Sequence, residues 1–143
     1  VPVLVAAHQH GAATRGTTRA HLARAVVESM VFQTRDVIDA MTFASGVPLA
    51  SLRVDGGAAV MNLLCQLQSN QLNVEVMRPT VLETTAMGAA YLAGLAEGVW
   101  GSTKDIADAW RLDRAFEPRP TGTESTDHER WLRGVDRSLN WQQ

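Results

Sequence analysis

Between Thr18 and Ala44 apolar residues recur at helical spacing, and this one run restricts the folds open to the chain more than any other feature. Leu22, Val26, Met30, Val37 and Met41 form the repeat, with Ala25, Ser29, Gln33 and Ala40 beside them. Thr17 or Thr18 supplies a start cap, and Gly46 followed by Pro48 supplies the stop. At 1.5 Å per residue the helix is roughly 40 Å long. The chain has 143 residues, enough for one domain with a core. In a domain of that size such a helix has to cross the whole back of a sheet.

The remaining segments supply that sheet. Val1–Ala6 reads as a buried strand and 8–16 as a loop. Leu49–Val54 reads as a strand, Asp55-Gly56-Gly57 as a sharp turn, and 60–70 as a helix with Leu63, Leu64 and Leu67 on its core face. Asn73–Met77 alternates as a second strand, closed by Pro79. Thr84 or Thr85 caps a helix to about Glu97 that is full of small residues, which need a closely packed neighbour to justify them. Ser102 and Asp105 resemble a capping box before a short helix through Ile106 and Trp110. Residues 114–120 read as extended, and Trp131, Val135 and Leu139 mark a last amphipathic helix. Strands alternating with helices predict an α/β domain with parallel pairing and crossover helices.

Composition narrows the function classes. A formal charge of -2 with scattered cations gives no basic face for nucleic acid. One cysteine, Cys65, excludes an internal disulfide framework and reads as a small buried hydrophobe. No segment reaches the ~18 apolar residues of a membrane span, and the apolar start is too short for a secretory signal. A cytoplasmic protein is the expectation. His8 and His10 lack a third ligand at suitable spacing. Arg35 and Asp36 point apart on the long helix and read as surface charges. Glu28 and Gln33 read as satisfied groups at the core edge, and the four tryptophans as packing anchors.

The turn at Asp55 is the candidate site. A strand ending in Asp-Gly-Gly and opening into a helix lets a ligand approach the backbone closely, with the helix N–H groups aimed at it. Ligands of open α/β sheets sit at that end of a strand. A plain bend explains the same residues, because Asp-Gly is common wherever a chain turns.

Leu52-Arg53-Val54-Asp55-Gly56-Gly57-Ala58, the helix Asn62–Ser69, the run Arg78-Pro79 with Glu83–Gly94, and His21–Glu28 with Phe32–Val37 resemble, in order, the carboxy-terminal domain of the FGGY carbohydrate kinases. Within that family they are most similar to the glycerol kinases, chiefly through Glu83–Gly94. The resemblance implies a ribonuclease-H-like, actin-like ATPase fold and a single domain over 1–143. In that domain 1–16 is the leading strand and loop, 17–100 the nucleotide-binding core, and 101–143 the carboxy-terminal helices. It implies ATP with Mg as cofactors and an adenine-nucleotide site at Asp55, Gly56, Gly57, Ala58, Met61 and Asn62. Gly57 and Ala58 would pass beside the nucleotide, and Gly56 would permit the turn. Asp55 would hold the turn through nearby backbone N–H groups.

Three departures qualify that expectation. The family has Asn four residues after the second glycine, where this chain has Met61. Asn62 lies about 100° further around the helix. His8–Ala13 stands where the family has a longer stretch, so part of an antiparallel edge is expected to be missing, with low stability or a partner chain as the consequence. No segment resembles the first kinase domain, which carries most polyol contacts and the catalytic Asp. The expected function is therefore the nucleotide half of a glycerol kinase, inactive without its first domain or a homo-oligomeric partner. The alternatives are a non-catalytic nucleotide-binding or interaction module, or the half of another FGGY sugar kinase.

Overall fold

The long helix forms as its caps require. In the computed structural model, which describes residues 15–139, α1 spans Arg19–Ser45, 27 residues. Thr18 stands at its amino-terminal cap, and the Thr18 backbone N–H donates to His21 Nδ1 at 3.1 Å. At the other end Gly46 takes φ 70°, a left-handed value that suits glycine, and its N–H closes on Thr42 O at 2.8 Å.

Among the described residues three short strands follow. β1 is Ser51–Arg53, β2 Glu75–Pro79 and β3 Leu112–Phe116, in the sheet order β1-β2-β3. β1 and β2 are parallel, with Leu52 opposite Val76, and α2 (Asn62–Leu72) makes the crossover between them. β3 departs from the expected parallel pattern. It pairs antiparallel to β2, with Val76 opposite Phe116 and an irregularity at Arg78/Pro79. The connection holding α3 (Thr84–Ala96) and α4 (Thr103–Asp108) explains this. It leaves and rejoins the sheet at the same end, Pro79 against Leu112, so no crossover is needed. Ser102 caps α4 as its sequence predicts, accepting from the Asp105 N–H.

Among the described residues two small cores hold these layers. Cys65, Val76 and Phe116 are buried together, with Leu52 and Val54 against them, where α2 lies on the sheet. Ser69, wholly buried on α2, places its hydroxyl 2.7 Å from Phe116 O and 2.8 Å from Val74 O. In the second core Phe32 of α1 stacks on Trp131 of α5 (Glu124–Ser138), with Val135 alongside.

Two expectations about α1 are overturned. Its buried face is Ala25, Glu28, Ser29, Val31 and Phe32, whereas Leu22, Val26, Val37 and Met41 of the apolar repeat are exposed. Phe43 is 93% exposed. An α1 of this length overhangs strands of three to five residues, and among the described residues only one of its faces is covered. Asp36 is the second correction. It is no free surface charge: Oδ1 lies 2.6 Å from His128 Nε2, and Oδ2 accepts the Trp131 indole N–H at 2.8 Å. The contacts come from a helix more than 90 positions later in the chain, which no local pattern could show. Glu28 and Gln33 behave as expected: Glu28 pairs with Arg24 at 2.7 Å, and Gln33 donates to Ser29 O. The strand expected at 1–6 and the two histidines His8 and His10 fall outside the described residues.

Asp36→Ala leaves two buried donors on α5 unpaired and is expected to lower stability by about 2 kcal/mol, given ~1–3 kcal/mol per stranded group. Urea unfolding checks it, through a fall in midpoint at unchanged slope.

Candidate nucleotide site

The Asp55 turn sits at the carboxyl end of β1. Gly56 takes φ 78° and ψ 173°, a region essentially restricted to glycine. It turns the chain out of the strand and into a single 3-10 turn, Gly57–Val60, closed by Ala59 N–H to Gly56 O and Met61 N–H to Ala58 O, both 3.1 Å. α2 begins one residue later, so its first N–H groups open beside the turn.

Gly57 differs from Gly56 in kind. Its φ is not positive, and a Cβ built on it meets no described atom within 4 Å. The chain itself gives no steric reason for glycine there. Open space beside a bare backbone, in a turn that leads into a helix, is an arrangement that admits a bulky anionic ligand.

The turn is tied down on two sides. The Gly56 N–H donates to Leu82 O at 2.9 Å, and Thr84 Oγ donates to Asp55 Oδ2. Asp55 thus holds the turn through a hydroxyl of α3 rather than through the backbone N–H groups expected of it. Thr84 spends its side chain there, and Glu83 stands at the α3 cap without a side-chain cap bond. From the other side Arg78 of β2 reaches Ala59 O at 3.1 Å, Val60 O at 3.3 Å and Asn62 Oδ1 at 3.0 Å. The carbonyl of Asn62 is therefore committed to Arg78. Cys65 is buried as expected, its Sγ 3.4 Å from Ala59 O. Burial pushes its thiol above the ordinary value, with the Arg78 charge pulling the other way.

Met61 occupies the amino-terminal cap of α2 and makes no side-chain cap bond. An Asn at this position is among the best capping residues, because its oxygen accepts from the first free N–H groups. Met has no such oxygen. The structure therefore brings Asp55, Gly56, Gly57, Ala58, Met61 and Asn62 into one turn, and leaves Met61 without the polar contact that its position calls for.

Two features of this end of the sheet were not legible in the sequence. Arg78 was visible only as part of an Arg-Pro pair, and its reach to the turn depends on β2 lying beside β1. A cavity of about 300 Å³ opens between α3, α4 and the strand ends, lined in part by Arg53, Thr80, Thr84, Tyr91 and Trp110. The Arg53 guanidinium lies over the Trp110 ring at 4.4 Å, so this tryptophan meets a cation rather than the buried core. Trp100 meets Tyr91 edge-on and would be struck at 2.7 Å by a side chain at Gly94, which accounts for that glycine. Gly88 meets nothing described within 4 Å. Among the described residues no three His, Cys, Asp or Glu gather as a metal cage, and no helix is long and apolar enough to cross a membrane.

A parallel strand pair, crossover helix and glycine turn under a long helix form an α/β domain of the ribonuclease-H-like, actin-like type. Residues 10–97 match the C-terminal domain of the FGGY family of carbohydrate kinases. The chain belongs to that family. It is 53% identical over 128 residues to a glycerol kinase of Haloferax volcanii, a match covering 90% of this chain and 25% of that protein. It is 52% identical over 130 residues to glycerol kinase 2 of Thermotoga maritima, covering 90% and 26%. The crystal structure of Plasmodium falciparum glycerol kinase with ADP superposes with a TM-score of 0.75 at 30% identity, over 89% of this chain and 26% of that one. The chain thus spans about a quarter of the length of the curated relatives it matches.

Two substitutions separate the roles of the turn residues. Met61→Asn is expected to raise stability by about 1 kcal/mol by capping α2. Gly56→Ala is expected to lower it by about 1–3 kcal/mol through backbone strain. Thermal unfolding of both variants beside the wild type checks the opposite signs.

Proposed function

We propose that this chain is the nucleotide-binding part of an ATP-dependent glycerol kinase, converting ATP and glycerol to ADP and glycerol 3-phosphate, and that it is inactive without the rest of the kinase. The observation that carries the reading is Gly57: a glycine with no described atom within 4 Å of a Cβ built on it, in the 3-10 turn between the end of a parallel strand and the start of α2. Membership of a kinase family, and the ADP in the structure of the Plasmodium falciparum relative, support a nucleotide as the ligand.

In this reading the γ-phosphoryl group passes from ATP to a glycerol hydroxyl oxygen, the bond to the bridging oxygen breaks, and the hydroxyl proton goes to a base on the first domain. This chain's part is positioning, the larger share of phosphoryl-transfer catalysis. Gly57 and Ala58 give the nucleotide its approach, and the α2 N–H groups offer positive potential to anionic oxygens. Magnesium, which would neutralise phosphate charge, usually keeps several waters and takes only one or two carboxylates besides the phosphates. The lone carboxylate of this turn, Asp55, accepts from Thr84 through Oδ2, and it is the group of the turn that would face such an ion.

The exposed apolar residues favour the same division. Val37, Met41 and Phe43 on α1 and Leu92 on α3 lie uncovered, and Gly88 has open space over it. Exposed apolar side chains of this kind on α1 and α3 suit packing against the rest of a kinase, or a second copy. Met61 favours the second reading, a nucleotide-binding or interaction module without catalysis, since it supplies no polar contact where the family pattern has Asn.

Calorimetric titration of the chain with ADP tests the proposal. Binding at millimolar affinity or tighter is expected, and Gly57→Leu should abolish it while the fold survives, because a Cβ at Gly57 meets no described atom within 4 Å and its φ is not positive. No binding in the wild type or in Met61→Asn would leave only the interaction module. The isolated chain should form no ADP on addition of glycerol to ATP, and clear turnover would refute its dependence on a further domain.

A further inference from the structure

Arg78 is the most heavily used side chain near the turn, and the nucleotide reading gives it no role. Its side chain is only 13% exposed although it sits near the end of a strand. Nε and Nη2 both lie 2.7 Å from Asp113 Oδ2 on β3, and the guanidinium lies 5.5 Å from the centre of the Phe116 ring. The carboxylate and the ring fix the plane of the group. The remaining nitrogen, Nη1, then points out of the sheet at Ala59 O, Val60 O and Asn62 Oδ1.

Those acceptors close the far side of the turn. Its two internal bonds use the carbonyls of Gly56 and Ala58, leaving those of Ala59 and Val60 to other donors. Gly57 and Ala58 have no side chain able to hold the turn themselves. Arg78 therefore holds the backbone at Ala59 and Val60, and no described atom, its own included, comes within 4 Å of a Cβ at Gly57.

We infer that Arg78 is a positioning residue for the nucleotide turn, oriented by Asp113 and acting through Ala59, Val60 and Asn62. The inference rests on the reading of Gly57–Val60 as the nucleotide turn, but the turn's rigidity is measurable without any ligand. Arginine is specifically required. A lysine keeps one charge for Asp113 but cannot hold a carboxylate and three acceptors across a planar fork.

Cys65 supplies the ligand-free readout. It is the single cysteine of the chain, wholly buried, with its Sγ against the same Ala59 carbonyl that Arg78 holds. Its rate of reaction with a disulfide reagent under native conditions reports opening of the turn. A merely structural ion pair would change that rate only as far as it changes global stability. Asp36→Ala is the control, since it removes contacts between α1 and α5 and touches nothing in the turn.

The test compares wild type, Arg78→Lys, Asp113→Asn and Asp36→Ala by thiol reaction rate, urea midpoint and ADP affinity. In Arg78→Lys, Cys65 should react about tenfold faster than stability alone explains, and ADP binding should weaken by about tenfold, the worth of one hydrogen bond to a charged group. Asp113→Asn, which keeps Arg78 but loosens it, should move both readouts the same way by less. If Arg78→Lys binds ADP as tightly as wild type, or its Cys65 reacts only as fast as stability dictates, the inference fails. If the thiol rates diverge as expected while the wild type binds no ADP, Arg78 still fixes the turn and it is the nucleotide reading that falls.

Discussion

The conformation of Gly56 is the constraint on which the rest of the site depends. At φ 78° and ψ 173° the chain leaves β1 in a direction that a residue with a side chain takes only under strain. That one bend sets the 3-10 turn, places Met61 at the head of α2, and aims α2 back along the sheet so that Cys65 meets Val76 and Phe116. Packing and site therefore share a cause. The same α2 that buries the small core presents its free N–H groups at the strand end, and Asp55 with Thr84 on one flank and Arg78 on the other keep the bend in register.

Among the described residues the buried interior is small. Three strands of three to five residues cannot cover a 27-residue helix, and α1 carries apolar side chains on faces that nothing described meets. α3 is similar: rich in alanine and glycine, it has no buried residue. Both helices leave apolar or small-residue surface that the described residues do not cover, and the chain spans about a quarter of the curated relatives it matches.

Much of this was legible in the sequence because it is local. The α1 stop needs only Gly46, and the bend after β1 needs only Asp55-Gly56-Gly57 between a β-rich run and a helical one. The family was legible for the same reason: its motifs are short, separate and in order. What escaped was long-range. The repeat through Leu22, Val26, Val37 and Met41 is a correct helix signal, but which face of a helix is covered depends on neighbours, and the neighbours here choose Ala25, Val31 and Phe32. Asp36 read as a surface charge because its partners, His128 and Trp131, arrive from the last helix. The antiparallel β3 and the reach of Arg78 both depend on sheet order, which spacing does not encode.

The central claim is that a nucleotide lies against Gly57 and Ala58 at the head of α2. Backbone amide spectra of the isotopically labelled chain, recorded while ADP and magnesium are added, test it most directly. The account predicts saturable shifts concentrated at Gly56, Gly57, Ala58 and the first turn of α2. Shifts confined to the cavity beside Arg53 and Trp110, or none up to millimolar nucleotide, would contradict it.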